Sequence, residues 1–398
     1  MPKLKSVRTF VVKTAPPHKG GLLWFFLKLE TDDGYEGWGE TAILSSLSGL
    51  ESGYEELVKN IFDTHLLGAE ALDRGYLFDK LYSRLTQQHP DYVMLGIISA
   101  FDTALWDIAG KHLRTPIYDL LGGKFRDRVR TYTYIYDDED SNSLQGTGRA
   151  WTEEPERLAR LAEHYVNEGF TGLKFDPVPQ VKRRVPKPFE LRQHELGNAE
   201  RVVAAVREAI GERADILIGT HGQMTPADAI RLAKRLEPYD PLWLEEPCPP
   251  ENYREMGRIA RATSIPISTG ERLVTLFEFQ LLFAEGACAI AQPDLGSAGG
   301  ITATHKIATL AEANYIMMAP HVWGGPIILA AALQIDASIP NFLIQESIGK
   351  ADGFFNEIVK KPFVWDNGDL IVPDRPGLGI ELDETALEKY RGKLSDRR

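Results

Sequence analysis

Charged and polar side chains recur at nearly equal intervals through the second half of the chain. They are His221, Glu245 with its neighbour Glu246, Glu271, Asp294, His321 and Glu346. The successive steps from 221 to 245, 271, 294, 321 and 346 are 24, 26, 23, 27 and 25 residues, close to the length of one strand plus one helix. Groups at the ends of successive parallel strands face the same end of the sheet. We therefore expect these side chains to converge on one site.

Carboxylates that converge on one site repel each other unless a cation neutralises them. Oxygen ligands suit Mg²⁺, which also keeps positions open for water or substrate oxygens. Strand alternation directs the side chains of Glu245 and Glu246 to opposite faces. We expect one of the two to bind the ion and the other to contact and orient neighbouring residues of the site without binding the ion.

The elements that must position these residues are short apolar strands separated by amphipathic helices. The predicted strands are residues 131–136, 172–176, 216–221, 242–246, 267–271, 289–294, 316–321 and 342–347, and helices such as 155–168, 226–236 and 302–313 lie between them. Eight parallel strands with crossover helices predict an α/β fold, a (β/α)₈ TIM-type barrel. An open doubly wound sheet is less favoured, because the sequence has no Gly-rich phosphate-binding turn.

The first part of the chain has a different pattern. Predicted strands at 6–14, 22–31 and 35–40 precede a stretch with helical periodicity from about 50 to 112, which predicts a small α+β domain. We divide the chain into an α+β domain (1–128), the barrel (129–362) and a terminal segment (363–398) that packs back on the first domain.

Composition excludes several classes of protein. The chain has 398 residues, a net charge of −12 and 43% hydrophobic residues, which argues against a disordered protein and against a nucleic-acid partner. Its two cysteines, Cys248 and Cys288, cannot form a disulfide framework or a four-thiolate zinc site. No apolar run approaches the roughly 20 residues of a membrane helix, and we recognise no signal peptide. We expect a cytoplasmic protein that contacts no membrane.

One long interruption follows the second predicted barrel strand. Residues 178–194 contain Lys182, Arg183, Arg184, Lys187 and three prolines. This composition fits either a solvated loop or a flap close to an anionic ligand.

Short motifs in a fixed order carry a resemblance to a known family. They are GWGE at 37–40, ALWDIAGK at 104–111, GLKFDP at 172–177, EEP at 245–247, GER at 270–272, QPD at 292–294, GG at 299–300, APH at 319–321 and PGLG at 376–379. Together they resemble the enolase superfamily, in particular its acid-sugar dehydratase members related to mandelate racemase, gluconate dehydratase and galactonate dehydratase. The resemblance implies that the α+β domain caps the barrel and that the terminal segment completes it.

The resemblance also implies a reaction and its machinery. One Mg²⁺ per subunit stabilises the enediolate that forms when the proton α to a carboxylate is removed. Glu245 and Glu271 match the second and third metal ligands. Asp294 and His321 match an Asp and His pair in which the carboxylate orients the histidine base.

Two further positions match substrate-handling residues of the family. Glu346 matches the carboxylate of the eighth strand, which binds the carboxyl region of the substrate. His221 matches the third-strand histidine that protonates the departing hydroxyl group in galactonate-type dehydratases.

The sequence departs from the family pattern on the second and third barrel strands. Relatives carry an acidic first metal ligand two residues before the equivalent of His221, and Gly219 stands there instead. Either His221 itself binds the metal, or water fills the gap, or metal binding is weak and the activity is lost or changed. Racemase-type members carry Lys-x-Lys on the second strand, where this chain has Lys174 and Asp176. Racemisation with one base on each face of the substrate is therefore disfavoured. We expect Lys174 and Asp176 to bind or polarise substrate. Alternatively, Lys174 forms only a structural salt bridge at the end of its strand.

Loops of the capping domain are expected to contact and recognise the end of the substrate that lies farthest from the reacting carboxylate. The resemblance assigns this role to residues 14–21 and 42–50. His18 could hydrogen-bond a sugar hydroxyl or be merely solvated, and Trp323 could form a wall of the pocket or pack internally.

These observations predict a Mg²⁺-dependent hydro-lyase that dehydrates an aldonate or aldarate to a 2-keto-3-deoxy acid, and the resemblance implies a homo-oligomer. An alternative is a cycloisomerase or epimerase of a related acid. Another is a metal-poor binding or regulatory protein that has kept the barrel without catalysis.

Overall fold

A computed structural model describes residues 1–42, 49–136, 154–178 and 188–392. The N-terminal part begins with a three-stranded antiparallel sheet in the order β1, β2, β3. Its strands are β1 (Leu4–Lys13), β2 (Leu23–Thr31) and β3 (Glu36–Ala42), and the helices that follow are α1 (Glu51–Ile61), α2 (Arg74–Leu85), α3 (Tyr92–Leu113) and α4 (Ile117–Leu120).

Both faces of this sheet are buried, and they belong to different cores. Phe25 and Leu27 pack with α1, α2 and α3, whereas Trp24 and Phe26 belong to the core that continues into the barrel. The alternation of a strand therefore joins the cap helices on one side to the barrel on the other.

Helix α3 is long and apolar enough, by length and composition, to cross a membrane. However, 83% of its most apolar 18-residue window is buried inside the protein, as in the core helix of a soluble domain. Its contacts with β2, β3 and α2 explain the apolar composition.

Eight parallel strands form the barrel, so the predicted fold class is confirmed. The strands are β4 (Arg128–Tyr134), β5 (Gly172–Phe175), β6 (Asp215–Gly219), β7 (Trp243–Glu245), β8 (Ile267–Thr269), β9 (Ile290–Ala291), β10 (Met317–Met318) and β11 (Gln345–Glu346). Neighbours from β4 to β10 pair in sequence order. The barrel closes because β11 pairs with β4 and Phe342 bridges to Met318.

Helices alternate with these strands on the outside of the barrel. They are α5 (Pro155–Asn167), α6 (Gln193–Ile210), α7 (Pro226–Leu236), α8 (Tyr253–Ala260), α9 (Leu276–Ala284), α10 (Gly300–Ala313) and α11 (Pro326–Ser338). Local sequence sets where they begin. The hydroxyl of Thr225 caps α7 ahead of Pro226, and Thr275 with Glu278 forms a capping box on α9.

Most barrel strands are shorter than the sequence predicted, and several of the polar residues lie beyond their ends, whereas Glu245 and Glu346 are the last residues of β7 and β11. His221 and Glu246 have positive φ angles of 52° and 43°. The strict alternation expected for residues 216–221 and 242–246 therefore ends before these two residues, and turns set the directions of their side chains.

The last part of the chain contacts both the barrel and the cap. It contains α12 (Phe354–Ile358), β12 (Trp365–Asp366), β13 (Asp369–Ile371) and α13 (Glu384–Lys389). The hairpin of β12 and β13 pairs with β4 on the barrel. Beyond it, Leu378 N–H donates to Asp107 of α3 (2.9 Å) and Lys13 N–H donates to the Tyr390 carbonyl (2.9 Å). The limits at 128 and 362 remain proposed domain limits.

Glu40 of the cap binds the N-terminus of a barrel helix. Its buried carboxylate accepts N–H groups from Gly325, Ile327 (3.0 Å) and Ile328 (3.1 Å) at the start of α11. Those N–H groups have no partner within the helix, and the helix dipole favours a negative charge there. The contact fixes the cap against the segment that follows His321.

Candidate active site

A buried lysine lies among the side chains at the carboxyl ends of the barrel strands, the region called here the barrel mouth. Lys174, on β5, is 1% exposed, and its Nζ lies 2.6 Å from Oε1 of Glu245 and 3.5 Å from Oε1 of Glu346. The Gln292 amide donates to the other oxygen of Glu245 (2.8 Å). Burial opposes the charge of Lys174, but the two glutamates outweigh it and raise its pKa well above the usual value. Lys174 therefore acts as a fixed positive charge between strands β7 and β11.

Asp294 and His321 form a tight pair at the ends of β9 and β10. Asp294 Oδ2 lies 2.6 Å from His321 Nδ1, and the two residues form a parallel backbone bridge. With Nδ1 bound to the carboxylate, Nε2 is the nitrogen that faces Glu271 (3.5 Å) and Glu346 (3.8 Å). Burial lowers the pKa of His321, but the charges of Glu346 and Glu271 outweigh burial and raise it to about 10.

A second pair of the same kind joins Asp176 to His221. Asp176 Oδ2 lies 3.0 Å from His221 Nδ1, and the hydroxyl of Tyr134 donates to Oδ1 (3.0 Å). Burial lowers the pKa of His221, but Asp176 outweighs burial and raises it to about 9. The side chain of His221 is 41% exposed, against 16% for His321, so the second pair is closer to solvent.

Glu271 contributes to the electrostatics of both histidines. Burial would raise its pKa, but the charges of His321, His221, Lys174 and Arg272 lower it to about 2. Its carboxylate is thus held in the charged form between the two Asp and His pairs.

Glu246 points away from this group and binds Arg272. Arg272 Nε lies 3.0 Å from both oxygens of Glu246, and its Nη2 lies 2.7 Å from Oε2. Arg272 also donates to the carbonyl of His221 (3.3 Å). Of the two adjacent glutamates, Glu245 therefore faces the barrel mouth and Glu246 supports the loop around His221.

The charges of the site suit a divalent cation. Six carboxylates (Asp176, Glu245, Glu246, Glu271, Asp294 and Glu346) lie near two permanent cations, Lys174 and Arg272. Excess negative charge of this kind explains why both histidine pKa values are raised. In the described part of the chain, no three acidic, histidine or cysteine side chains already surround one point. The support for a cation is therefore chemical: the carboxylate oxygens are the donors that a hard divalent ion prefers, and binding one would require them to move together.

The cap loop predicted to read substrate lies against the barrel mouth. A Cβ at Gly20 would lie 2.7 Å from the Gly324 carbonyl, and one at Gly21 would lie 3.9 Å from the indole nitrogen of Trp323. Lys19 Nζ lies 4.5 Å from the ring centroid of Tyr136, which follows β4.

The histidine of this loop has a local contact. His18 Nδ1 lies 3.0 Å from Oγ1 of Thr14. Most of the second predicted loop, residues 43–48, and the basic residues Lys182, Arg183, Arg184 and Lys187 lie outside the described residues.

Contacts join most of the predicted site residues in two groups. One contains Lys174, Glu245, Glu271, Asp294, His321 and Glu346. The other is Asp176 with His221, and Tyr134 lies between the two groups, since its hydroxyl binds Asp176 and its ring centroid is 4.9 Å from Lys174 Nζ. Trp323 lies at the cap loop, and His18 is placed by its own loop.

Sequence reasoning did not identify three residues that hold these residues in place. Tyr134 binds Asp176, Arg272 binds Glu246, and Gln292 binds Glu245. Arg272 and Gln292 stand in the GER and QPD motifs, so their proximity to acidic residues was a usable signal. Tyr134 gave no signal beyond its place in the first barrel strand.

Family models match the two main parts of the chain. Residues 13–122 match the mandelate racemase / muconate lactonizing enzyme N-terminal domain, and residues 157–386 match the enolase C-terminal domain-like family.

Curated relatives match over nearly the whole chain. A D-galactonate dehydratase of Variovorax paradoxus is 35% identical over 390 residues, covering 96% of this chain and 94% of the relative. A D-xylonate dehydratase of Haloferax volcanii is 34% identical over 374 residues, covering 93% and 86%.

Solved structures agree with the fold. A mandelate racemase/muconate lactonizing enzyme from Jannaschia sp. CCS1 superposes with a TM-score of 0.90 at 38% identity, covering 98% of both chains. One from a Sulfitobacter species gives a TM-score of 0.91 at 36% identity, covering 99% of this chain and 97% of the other. The predicted architecture and family resemblance are confirmed.

Proposed function

Because the chain belongs to the mandelate racemase/muconate lactonizing enzyme family of the enolase superfamily, we propose that it dehydrates a sugar acid. The substrate is an aldonate or aldarate, and the product is the corresponding 2-keto-3-deoxy acid. The predicted enzyme class, a hydro-lyase, is that of the curated relatives, which are named dehydratases.

The observation that carries the proposal is the Asp294/His321 pair. Asp294 fixes His321 through Nδ1 at 2.6 Å, so Nε2 is directed at the acidic group that contains Glu271 and Glu346. In its neutral form, a base in this position can accept the proton from the carbon next to a bound carboxylate. A cation held at Glu271 would offset the carboxylate charges that raise the pKa of His321 and so favour that neutral form.

His321 removes the proton at C2, and its imidazolium is stabilised by Asp294. The negative charge that develops on the substrate's carboxylate needs positive charge nearby, because the free acid is far too weak for the histidine alone. Lys174 is a fixed cation between Glu245 and Glu346 and supplies part of that charge.

A divalent cation fits the same mouth. Glu245 and Glu271 would hold it, and when bound it would supply positive charge to the carboxylate end of the substrate. The identity of this ion as Mg²⁺ rests on the all-oxygen donors of these two residues.

His221 is the group proposed to protonate the departing 3-hydroxyl. Asp176 holds its Nδ1, so the proton is delivered from Nε2. The contact with Asp176 favours the charged form of the imidazole, which a general acid requires. Water leaves, and the resulting enol becomes the 2-keto-3-deoxy acid.

A second candidate function is epimerisation of a related acid. The observation that favours it is the Asp176/His221 pair, since two oriented histidines could serve opposite faces of one carbon. Deuterium uptake at C2 without loss of water, together with inversion at that carbon, would identify this reaction.

The remaining assignments are part of the proposal. We place the enzyme in the cytoplasm as a homo-oligomer that contacts neither membranes nor nucleic acids. His18 and Trp323 belong to the region where the cap loop contacts the barrel, and they are proposed to contact the distal end of the sugar acid.

A substrate screen tests the proposed function. The purified chain is incubated with Mg²⁺ and a panel of aldonic and aldaric acids, and the 2-keto acid is measured. At least one acid should be converted by the wild type and none detectably by His321→Asn. Conversion that survives unchanged in His321→Asn would refute the assigned base.

A further inference from the structure

A gap in the row of side chains at the barrel mouth is filled from the neighbouring strand. Gly219 pairs in register with Glu245, so a side chain at 219 would stand beside that of Glu245. However, a Cβ there would overlap Oδ1 of Asp176 and lie 2.7 Å from the hydroxyl of Tyr134. The space that a residue at 219 would occupy is taken by the Asp176 carboxylate.

The register of the barrel explains why Asp176 reaches this space. Phe175 pairs with Ile218, so Asp176 comes next to Gly219 as the two strands end. Lys174, two residues earlier on the same face, reaches Glu245. Asp176 and Glu245 are therefore neighbours across a position that has no side chain.

We infer that Asp176 supplies the carboxylate that position 219 lacks, so the divalent ion is held by Glu245, Glu271 and Asp176. The inference depends on the proposed function only in that both place an ion at this mouth. It concerns which residues bind the ion, whichever acid is the substrate.

The two oxygens of Asp176 make this role compatible with its observed contacts. Oδ1 accepts from Tyr134 and lies over Gly219, while Oδ2 faces Nδ1 of His221. A carboxylate has about four lone-pair positions, so the contacts with Tyr134 and His221 do not by themselves exclude an ion. In this arrangement Asp176 binds the ion and positions His221 through Nδ1. His221 does not bind the ion, so its Nε2 is available for proton transfer.

Manganese binding by the full-length protein tests this assignment without reference to turnover. Mn²⁺ replaces Mg²⁺ at oxygen sites, and its free concentration can be measured by electron paramagnetic resonance. Asp176→Asn keeps the size of the side chain but removes its charge. Affinity should fall ~100-fold or more, since even residues that only orient ligands change affinity by roughly 10–100-fold.

Two control variants separate direct binding from general effects. Asp294→Asn removes the same charge from the same mouth, beside His321, and should change Mn²⁺ affinity by less than about threefold. His221→Asn tests the competing ligand. Because His221 only contacts the proposed ligand Asp176, the variant should lower Mn²⁺ affinity by about tenfold at most, well below the loss in Asp176→Asn. A large loss in His221→Asn with none in Asp176→Asn would assign the ion to His221 and overturn the inference.

A rescue variant tests the inference independently of folding damage. Asp176→Ala clears the space over Gly219, and Gly219→Asp in the same chain returns a carboxylate to it. Asp176→Ala alone should lose Mn²⁺ affinity, and the double variant should recover it to within about tenfold of the wild type. Failure of this rescue in a protein with native circular dichroism would contradict the inference.

The result is distinguishable from the substrate screen. Wild-type affinity in Asp176→Asn, or no Mn²⁺ binding by the wild type at millimolar concentration, overturns the inference even if a sugar acid is dehydrated. Loss and rescue of Mn²⁺ binding support it even if no acid on the panel reacts.

Discussion

The barrel mouth contains two pairs of an aspartate with a histidine, and they differ in how they are held. The Asp294/His321 pair lies at the ends of adjacent strands, with a backbone bridge and a 2.6 Å contact. The Asp176/His221 pair has a 3.0 Å contact, a more exposed histidine, and a left-handed backbone at His221.

This difference indicates that two pairs with the same side chains are suited to different steps of the proposed reaction. A base must be held rigidly in water-poor surroundings, because its proton is drawn from a weak carbon acid. A group that protonates a leaving hydroxyl can be nearer solvent, which resupplies its proton. The buried Asp294/His321 pair suits the first task and the partly exposed Asp176/His221 pair suits the second.

Removing the buried histidine should have the largest effect. His321→Asn keeps a similar shape but cannot accept the proton, so turnover of the identified sugar acid should fall about 10³- to 10⁴-fold. The 2-keto acid assay measures this loss. An unchanged thermal midpoint shows that the barrel remains folded, and a loss below tenfold would remove the distinction between the two pairs.

Removing the exposed histidine should have a smaller effect. His221→Asn should reduce dehydration about 10²-fold, because a hydroxyl leaves poorly without a proton donor but water can partly replace one. A substrate analogue with fluoride at C3 needs less protonation, so it should lose less activity in His221→Asn than the natural acid does. Equal losses with both substrates would show that His221 does not act on the leaving group.

We expect the buried pair to depend on the cap through Glu40. Glu40 satisfies three N–H groups at the start of α11, directly after the loop that carries His321. Glu40→Ala should lower the free energy of unfolding by about 3 kcal/mol or more, because three buried N–H donors lose their acceptor and each unsatisfied donor costs about 1–3 kcal/mol. Urea unfolding measures the change.

Glu40→Ala should also lower turnover, because the loop that carries His321 is displaced and not because Glu40 takes part in the reaction. Turnover in Glu40→Ala should fall about tenfold, and Glu40→Gln, which keeps one acceptor oxygen, should recover part of it. Wild-type stability in Glu40→Ala would show that the cap does not fix the His321 loop.

The smallest effect is expected at the support of the exposed pair. Tyr134→Phe removes one hydrogen bond to Asp176, worth about 0.5–1.5 kcal/mol, while Asp176 keeps its contact with His221. Turnover should fall about threefold with little change in KM. A loss as large as that of His221→Asn would give Tyr134 a direct role in the reaction.

Much of the fold could be predicted because its signals are local. The alternation of apolar strands and amphipathic helices predicted the barrel, and the bounds of α7 at 226–236 agree with the prediction. Strand ends were less accurate: positive φ angles at His221 and Glu246 end the extended backbone early, and these angles depend on contacts such as that between Arg272 and the His221 carbonyl.

The candidate site was predictable residue by residue, but its pairing was only partly so. Asp294 and His321 were predicted as partners from the family motifs. Asp176 and His221 were predicted separately, because their contact depends on the register of β5 against β6 and on the missing side chain at Gly219. Nothing local in the sequence connects Glu40 to the N-terminus of α11.

The division of labour between the two pairs is tested most directly by hydrogen exchange at C2 in deuterium oxide. With the sugar acid identified by the screen, His221→Asn should exchange the C2 hydrogen for deuterium while forming little 2-keto acid, and His321→Asn should do neither. Exchange that persists in His321→Asn, or that disappears in His221→Asn along with dehydration, would contradict the account.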